Sequence, residues 1–355
     1  MKILHTADIH LIETENERWE ALLEIIKLSD IEKIDALLIS GDLFDKDVDA
    51  EKLRVKIRDI FSGRNYRIIV LPGNHDFKSF RSGNFYGQNI EVIHSLDNVI
   101  ETEDANIVGF PYEEIRESEI YSRLKSISDM LNSNKYNILL YHGELLDSFY
   151  SRKDFGEEGE KRYMPIRLDY LKEMNFHYVL AGHFHSNFRI WEFSNKHYFV
   201  YPGSPTPITI RETGRRKVNL FNLGEAPKEK ILNTTFYEDL KIKLDPFSDL
   251  DPVTVINNEL SRTDQNARIF LTVGGYINKA GHGIDESMLN ERIEGIAKEN
   301  ENIKINKLEF RDLCETLSDD LFETFTDKLN SMNLDESRSS GIKDLLIRAM
   351  IEAGL

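Results

Sequence analysis

Over roughly the first 225 residues, short apolar and often β-branched runs alternate with longer polar stretches, a rhythm that predicts strands and helices in turn. The runs Ile3 to Thr6, Ala36 to Ile39, Ile68 to Leu71, Ile107 to Phe110, Ile138 to Tyr141, Tyr178 to Ala181 and Tyr198 to Tyr201 show little polar alternation. Strands of that kind are buried on both faces, so helices must cover the sheets they form. Arg18 to Leu28 and Ala50 to Phe61 have the right pattern, with apolar residues three and four apart. The expectation is a layered α/β domain over residues 1–225.

Gly224 to Lys230 is charged, loosely patterned and contains Pro227, and it reads as a linker. Beyond it, residues 226–312 predict a small α+β module, with Ala267 to Val273 and Ile303 to Phe310 as its clearer strands. The last segment, 313–355, turns helical. Leu317, Leu321, Phe325 and Leu329 share one face, and Ile342, Leu345, Leu346 and Met350 make a second stripe after the polar residues 331–340. Such stripes either pack on their own domain or offer an apolar face to another protein. Their terminal position after a polar hinge favours the partner.

Composition narrows the chemistry. The net charge of -17 repels a polyanion over most of the surface, unless bound divalent cations reverse the sign locally or a partner brings basic surface. The single cysteine, Cys314, excludes an internal disulfide and a sulfur-built zinc site, so any metal must be held by oxygen and nitrogen. No apolar run approaches the roughly 18 residues of a membrane span, and MKILHTADIH lacks the marks of a signal peptide; a cytoplasmic protein with no membrane partner is expected.

Five groups of polar residues stand just beyond predicted strands: Asp8-Ile9-His10, Gly41-Asp42, Gly73-Asn74-His75-Asp76, His142-Gly143 and Gly182-His183-Phe184-His185. Loops at the carboxyl ends of strands converge on one crevice. If the strands continue into the motifs, Asp8 and His10 point the same way, as do His183 and His185. Two divalent ions about 4 Å apart need a shared anionic bridge and several further ligands, and these groups supply them. Such ligands suit manganese, iron or zinc.

In this order, DxH, GDLFD, GNHD, a lone strand-end histidine and GHFH, the motifs resemble the calcineurin-like metallophosphoesterase superfamily over about the first 200 residues. The resemblance implies an α/β/β/α sandwich. It also implies that Asp8, His10, Asp42 and His185 hold one ion and that Asp42, Asn74, His142 and His183 hold the other. His75 is left to stabilise charge or protonate the leaving oxygen, with Asp76 as its orienting partner.

Tyr201-Pro202-Gly203-Ser204-Pro205 and the basic run Arg211 to Lys217 look like the end of the catalytic domain in SbcD-type DNA repair nucleases. That likeness implies a capping domain at 226–312 and a helical segment at 313–355 that docks on an SMC-like coiled-coil ATPase of SbcC type. It further implies a manganese-dependent nuclease acting on DNA as a homodimer in double-strand break repair, with Fe2+ or Zn2+ as other possible metals. The alternative is a phosphoesterase for a small nucleotide, a phospholipid precursor or a phosphoprotein. The chain departs from the nuclease pattern at Ile12, where glycine is frequent, and at Asp45, where many members have histidine. Candidate phosphate contacts are Lys78, Arg81, Arg152, Arg211 and Arg215, and the segment Asp147 to Arg162, with Tyr150, Phe155 and the adjoining Tyr163, is the expected substrate-facing loop.

Overall fold

The computed structural model describes residues 1–14, 16–46, 48–80, 85–148, 162–313, 320–332 and 336–353. It divides into two compact units, Met1–Tyr237 and Glu238–Leu355.

The first unit contains two six-stranded sheets. One orders β12 (Glu229–Ile231), β11 (Lys217–Asn222), β1 (Lys2–Thr6), β2 (Ala36–Ser40), β3 (Arg67–Leu71) and β4 (Ile90–Val92). The other orders β5 (Ile100–Glu101), β6 (Ala105–Phe110), β7 (Tyr136–His142), β8 (Tyr178–Gly182), β10 (His197–Tyr201) and β9 (Arg189–Ser194). All seven expected strands are present. Their centres pair in parallel, β1 with β2, β2 with β3, β6 with β7 and β7 with β8, so their carboxyl ends lie at one edge of each sheet.

Alternation sorts the side chains into layers. Ile3, Leu38, Ile69, Leu71, Ile107, Ile138, Leu140, Leu180 and Val200 fill the space between the sheets. On the outer face of the first sheet, Leu4, Leu37 and Ile39 meet Trp19, Leu22 and Ile25 of α1 (Glu17–Glu32) and Leu53 and Ile57 of α2 (Ala50–Phe61). On the outer face of the second, Val108, Leu139 and Val179 meet Ile120 and Leu124 of α3 (Glu117–Met130) and Leu171 of α4 (Leu168–Lys172). The result is the expected α/β/β/α sandwich. A hydrogen bond from Ser40 Oγ to the Leu180 carbonyl, 2.8 Å, ties the two sheets together at the ends where the motifs begin.

The stretch read as a linker is a hairpin. β11 and β12 pair antiparallel on either side of it, and the Tyr178 hydroxyl clasps the turn, accepting from Gly224 N at 2.8 Å and donating to Glu225 O at 2.9 Å. Proline and charge therefore mark a tight surface turn here, and the first unit continues to Tyr237.

The second unit has a three-stranded sheet, β13 (Phe236–Leu244, from the boundary onward), β14 (Ala267–Ile277) and β15 (Ile303–Asp312), in that order. Asp251 caps α5 (Pro252–Ser261) by accepting from Val253 N and Thr254 N, and Asp285 caps α7 (Glu286–Glu299) after the short α6 (Lys279–His282). One sheet face is apolar, with Ile242, Leu244, Ile269, Leu271 and Val273 buried, as are Ile256, Leu289 and Ile293 of the helices. The other face is exposed and basic: Lys241, Lys243, Arg268, Lys304, Lys307 and Arg311 stand beside Asp239 and Glu309. Helices α8 (Asp320–Asn330) and α9 (Glu336–Ala353) follow; Leu329 is buried and Leu345 exposed, while Cys314 and Leu317 lie outside the described residues. Among the described residues no helix is long and apolar enough to cross a membrane.

The layering predicts where substitution is felt. Leu38→Ala, in the fully buried layer between the sheets, is expected to cost about 2–5 kcal/mol in urea unfolding. Ile31→Ala, 65% exposed at the end of α1, is expected to stay within about 0.5 kcal/mol of the parent.

Candidate metal centre

β1 ends at Thr6 and β8 at Gly182, so the DxH and GHFH motifs are loops and not strand ends with alternating side chains. Their convergence has a different cause. Asp8 (φ 57°), His10 (φ 52°), Asp42 (φ 51°) and His183 (φ 91°) all adopt left-handed backbone, which costs a residue with a Cβ about 1–3 kcal/mol and persists only where its surroundings enforce it. A ladder of main-chain bonds enforces it here: Asp8 N to Gly41 O at 3.1 Å, His10 N to Asp42 O at 2.9 Å and Leu11 N to Leu43 O at 2.8 Å. Gly41 (φ 95°) has no alternative, since a Cβ there would lie 1.8 Å from His142 Nδ1.

The seven side chains of the proposed ligand set come together. Asp8, His10 and His185 each place a ligand atom within 4.8 Å of the others, and so do Asp8, Asp42 and His142. His10 Nε2 lies 3.2 Å from His185 Nε2 and 3.7 Å from Asp42 Oδ2; two imidazole nitrogens face each other where a cation would relieve the contact. His142 Nε2 lies 2.8 Å from Asn74 Oδ1 and 3.2 Å from Asp42 Oδ2, and its Nδ1–H donates to the Ser40 carbonyl at 3.0 Å, which reserves Nε2 for the cluster. His183 donates its amide to both oxygens of Asp8, at 2.9 and 3.0 Å, and its ring packs against His142 with centroids 5.4 Å apart. Asp42 thus belongs to both halves of the set, as a bridge must. The donor set, all carboxylate, imidazole and amide, fits two divalent ions of the manganese, iron or zinc kind.

The electrostatics agree with a cation site. Burial raises Asp8 above the usual carboxylate range. Burial would raise Asp42 as well, but His142 and His10 hold it far below that range. Burial would also lower His142, yet Asp42 and Asp8 lift it to about 9. Fully buried carboxylates are sustained only by positive charge nearby, whether from protons on imidazoles or from metal.

His75 stands beside the cluster. Its amide donates to Asp42 Oδ1 at 2.9 Å, and its Nδ1 lies 3.2 Å from Asp45 Oδ1. Arg18 takes the other oxygen of Asp45 at 2.5 Å and binds the His10 carbonyl at 2.6 Å. The orienting partner of His75 is therefore Asp45. Asp76, expected in that role, is wholly buried and accepts from Gly73 N at 2.7 Å and Phe44 N at 3.1 Å; it stitches the GNHD turn to the GDLF loop because its carboxylate lies within reach of two amides that need acceptors.

The basic run 211–217 divides. Arg211 and Arg215 are exposed, Arg215 lying over the Phe236 ring at 5.6 Å. Buried Arg216 donates to the carbonyls of His185, Ser204 (2.9 Å) and Ser186 (3.0 Å), locking the loop that carries His185. Glu212, also buried, lies 3.7 Å from His185 Nδ1, behind the ring; burial pushes its carboxyl up, but His185, the Ile208 amide and Arg216 bring it down to about 2. Glu212 and Arg216 carried no motif signal beyond their place in the run, since their partner is 27 to 31 residues away. Lys78 lies in a cavity wall next to His75, whereas Arg81, Arg152 and the core of the expected substrate loop fall outside the described residues.

A model of the calcineurin-like phosphoesterase family matches residues 1–187. The DNA double-strand break repair protein Mre11 of Saccharolobus solfataricus is 23% identical over 211 residues, 54% of this chain and 51% of that protein. The chain therefore spans about half the length of the curated relative it matches. Among solved structures, a Thermus thermophilus protein aligns with 15% identity and a TM-score of 0.43, over 61% of this chain and 92% of that one. A dimetal phosphatase from Danio rerio aligns with 12% identity and a TM-score of 0.44, over 65% and 96%.

If Glu212 fixes the His185 ring, Glu212→Gln should weaken manganese binding about 10–100-fold in calorimetric titration of the folded variant. Glu225→Gln, at the exposed hairpin turn, should leave the affinity unchanged.

Proposed function

This chain belongs to the calcineurin-like phosphoesterase family, and from that premise we propose that it is a two-metal DNA nuclease that processes ends in double-strand break repair. The observation that carries the DNA assignment is the likeness to Mre11 over 54% of the chain. A second feature supports it: the exposed sheet face of the second unit gathers six lysines and arginines against two carboxylates in a chain of net charge -17. Phosphate backbones bind through such faces. In this reading the capping domain begins with the second unit at Glu238 and runs to about residue 312, residues 313–355 dock on an SMC-like ATPase of SbcC type, and the active form is a homodimer using manganese.

Asp8, His10, Asp42 and His185 would hold one ion, and Asp42, Asn74, His142 and His183 the other. When bound, the ions supply electrophilic activation of the phosphoryl group and acidify the attacking water. The protein's own part is positional. Ser40 keeps His142 in one tautomer, and Glu212 and Arg216 keep His185 and its loop in place. Asp45 lies against His75 Nδ1, and Nε2 would be the nitrogen that gives a proton to the departing oxygen; burial would raise the Asp45 carboxyl, but His10, His75 and Arg18 together hold it ionised, and Arg18 fixes its position. No nucleophilic side chain is required.

The purified protein with manganese should cut linear DNA; hydrolysis of bis-p-nitrophenyl phosphate with no DNA cleavage would sink the DNA assignment in favour of a small-ester phosphoesterase. His75→Ala is expected to lower kcat about 10²–10⁴-fold while the metal content by elemental analysis stays at the parent value. Loss of metal together with activity would instead make His75 a ligand.

A further inference from the structure

Next to His75 a cavity of about 440 Å³ opens between the loop after β2 and the turn after β3, a volume within the range of small-ligand sites. Its wall holds the reacting-side residues Asn74 and His75, the apolar Val48, the ring of Phe77, and Lys46 and Lys78. Phe77 is 37% exposed, although phenylalanine gains by burial. Its ring begins a chain of aromatic contacts: Phe77 meets Tyr112 edge-to-face at 5.3 Å, Tyr112 lies tilted against Tyr163 at 5.9 Å, and Tyr163 against His183 at 4.9 Å, which leads back to the candidate metal cluster. Lys46 and Lys78 are exposed, and neither makes an ion pair among the described residues. The cavity's two carboxylates are engaged elsewhere, Asp49 in capping α2 and Glu51 with Arg54 at 3.0 Å.

We propose that this cavity is the subsite for the leaving-side nucleoside of an unstacked DNA strand, its base lying on Phe77 and its next phosphate between Lys46 and Lys78. The assignment rests on the nuclease reading above. It follows from the position of His75: the residue that gives its proton to the departing oxygen forms part of the cavity wall, so the departing group lies on that side. A flat apolar ring flanked by ammonium groups is what a single base and its phosphate require. Inside a duplex both faces of that base are covered by neighbours, so it reaches Phe77 only at a frayed end, a flap or a single strand. The enzyme should accordingly prefer strands that are open on the leaving side.

The test uses the full-length protein with manganese and single-stranded oligonucleotides blocked by phosphorothioates at all linkages but one. The leaving-side nucleotide is either normal or abasic. For the parent protein the abasic substrate should raise KM about tenfold or more, within the range of base–aromatic stacking. Phe77→Ala should raise KM on the normal substrate by a similar factor and gain nothing further from removal of the base, while Phe77→Trp should restore the difference. Lys46→Ala and Lys78→Ala should each flatten the salt dependence of binding by about 0.7 in log–log slope. Phe77→Ala, folded by circular dichroism, with an unchanged KM on the normal strand would overturn the subsite and leave the nuclease reading standing. A parent protein that cuts none of the strands would overturn both.

Discussion

Asp8 and Asp42 are both excluded from solvent, close enough to share His142, and this burial of neighbouring carboxylates is the constraint around which the rest of the first unit is arranged. Removing such charges from water costs several kcal/mol each unless positive charge and hydrogen bonds compensate. The Asp8 carboxylate is met by the His183 amide and the Asp42 carboxylate by the His75 amide; imidazoles surround both. Two sheets with their strand ends at a common edge are a direct way to bring these short loops together, and the Ser40–Leu180 bond fixes that edge. The apolar layers then serve a site that is itself destabilising, since four of its residues are held in left-handed backbone.

How legible this was differs by kind of residue. Strands buried on both faces announce themselves as apolar runs, and all seven such runs are strands. Short edge strands such as β4, β5 and β12 do not, because two or three residues leave no pattern and their partners supply the reason to be extended. The candidate set could be named from motif order, and its residues lie close together, but the geometry that joins them could not be read. Alternation along a strand suggested a common direction for Asp8 and His10. The actual device, a left-handed turn at each, depends on carbonyls of the next loop 32 or more residues away.

Partners of the ligands were the least legible. Asp45 read only as a departure from the histidine that many members carry there. In place it lies against His75 and His10 at once, with Arg18 on its far oxygen, so the aspartate braces the His75 ring. Asp76 shows the reverse. Its neighbour in sequence is His75, but two main-chain amides without other acceptors claim it, and adjacency along the chain gave the wrong partner.

The negative charge of the chain takes on a different meaning once the positions are known. Taken as a sum, -17 opposes a polyanionic substrate. Screening at physiological salt, however, confines each exposed charge to about 8 Å, so what a bound strand meets is local. Among the described residues of the cavity beside His75, the exposed charges are Lys46 and Lys78 together with Asp49, which caps α2, and Glu51, which pairs with Arg54, and the buried Asp8 and Asp42 would be offset by ions bound there. A repulsive surface with a few attractive places favours a substrate that can reach those places singly over one that lies along the whole surface. Under the nuclease reading proposed above, that substrate is an end or an open strand, and the acidic composition is compatible with such a substrate.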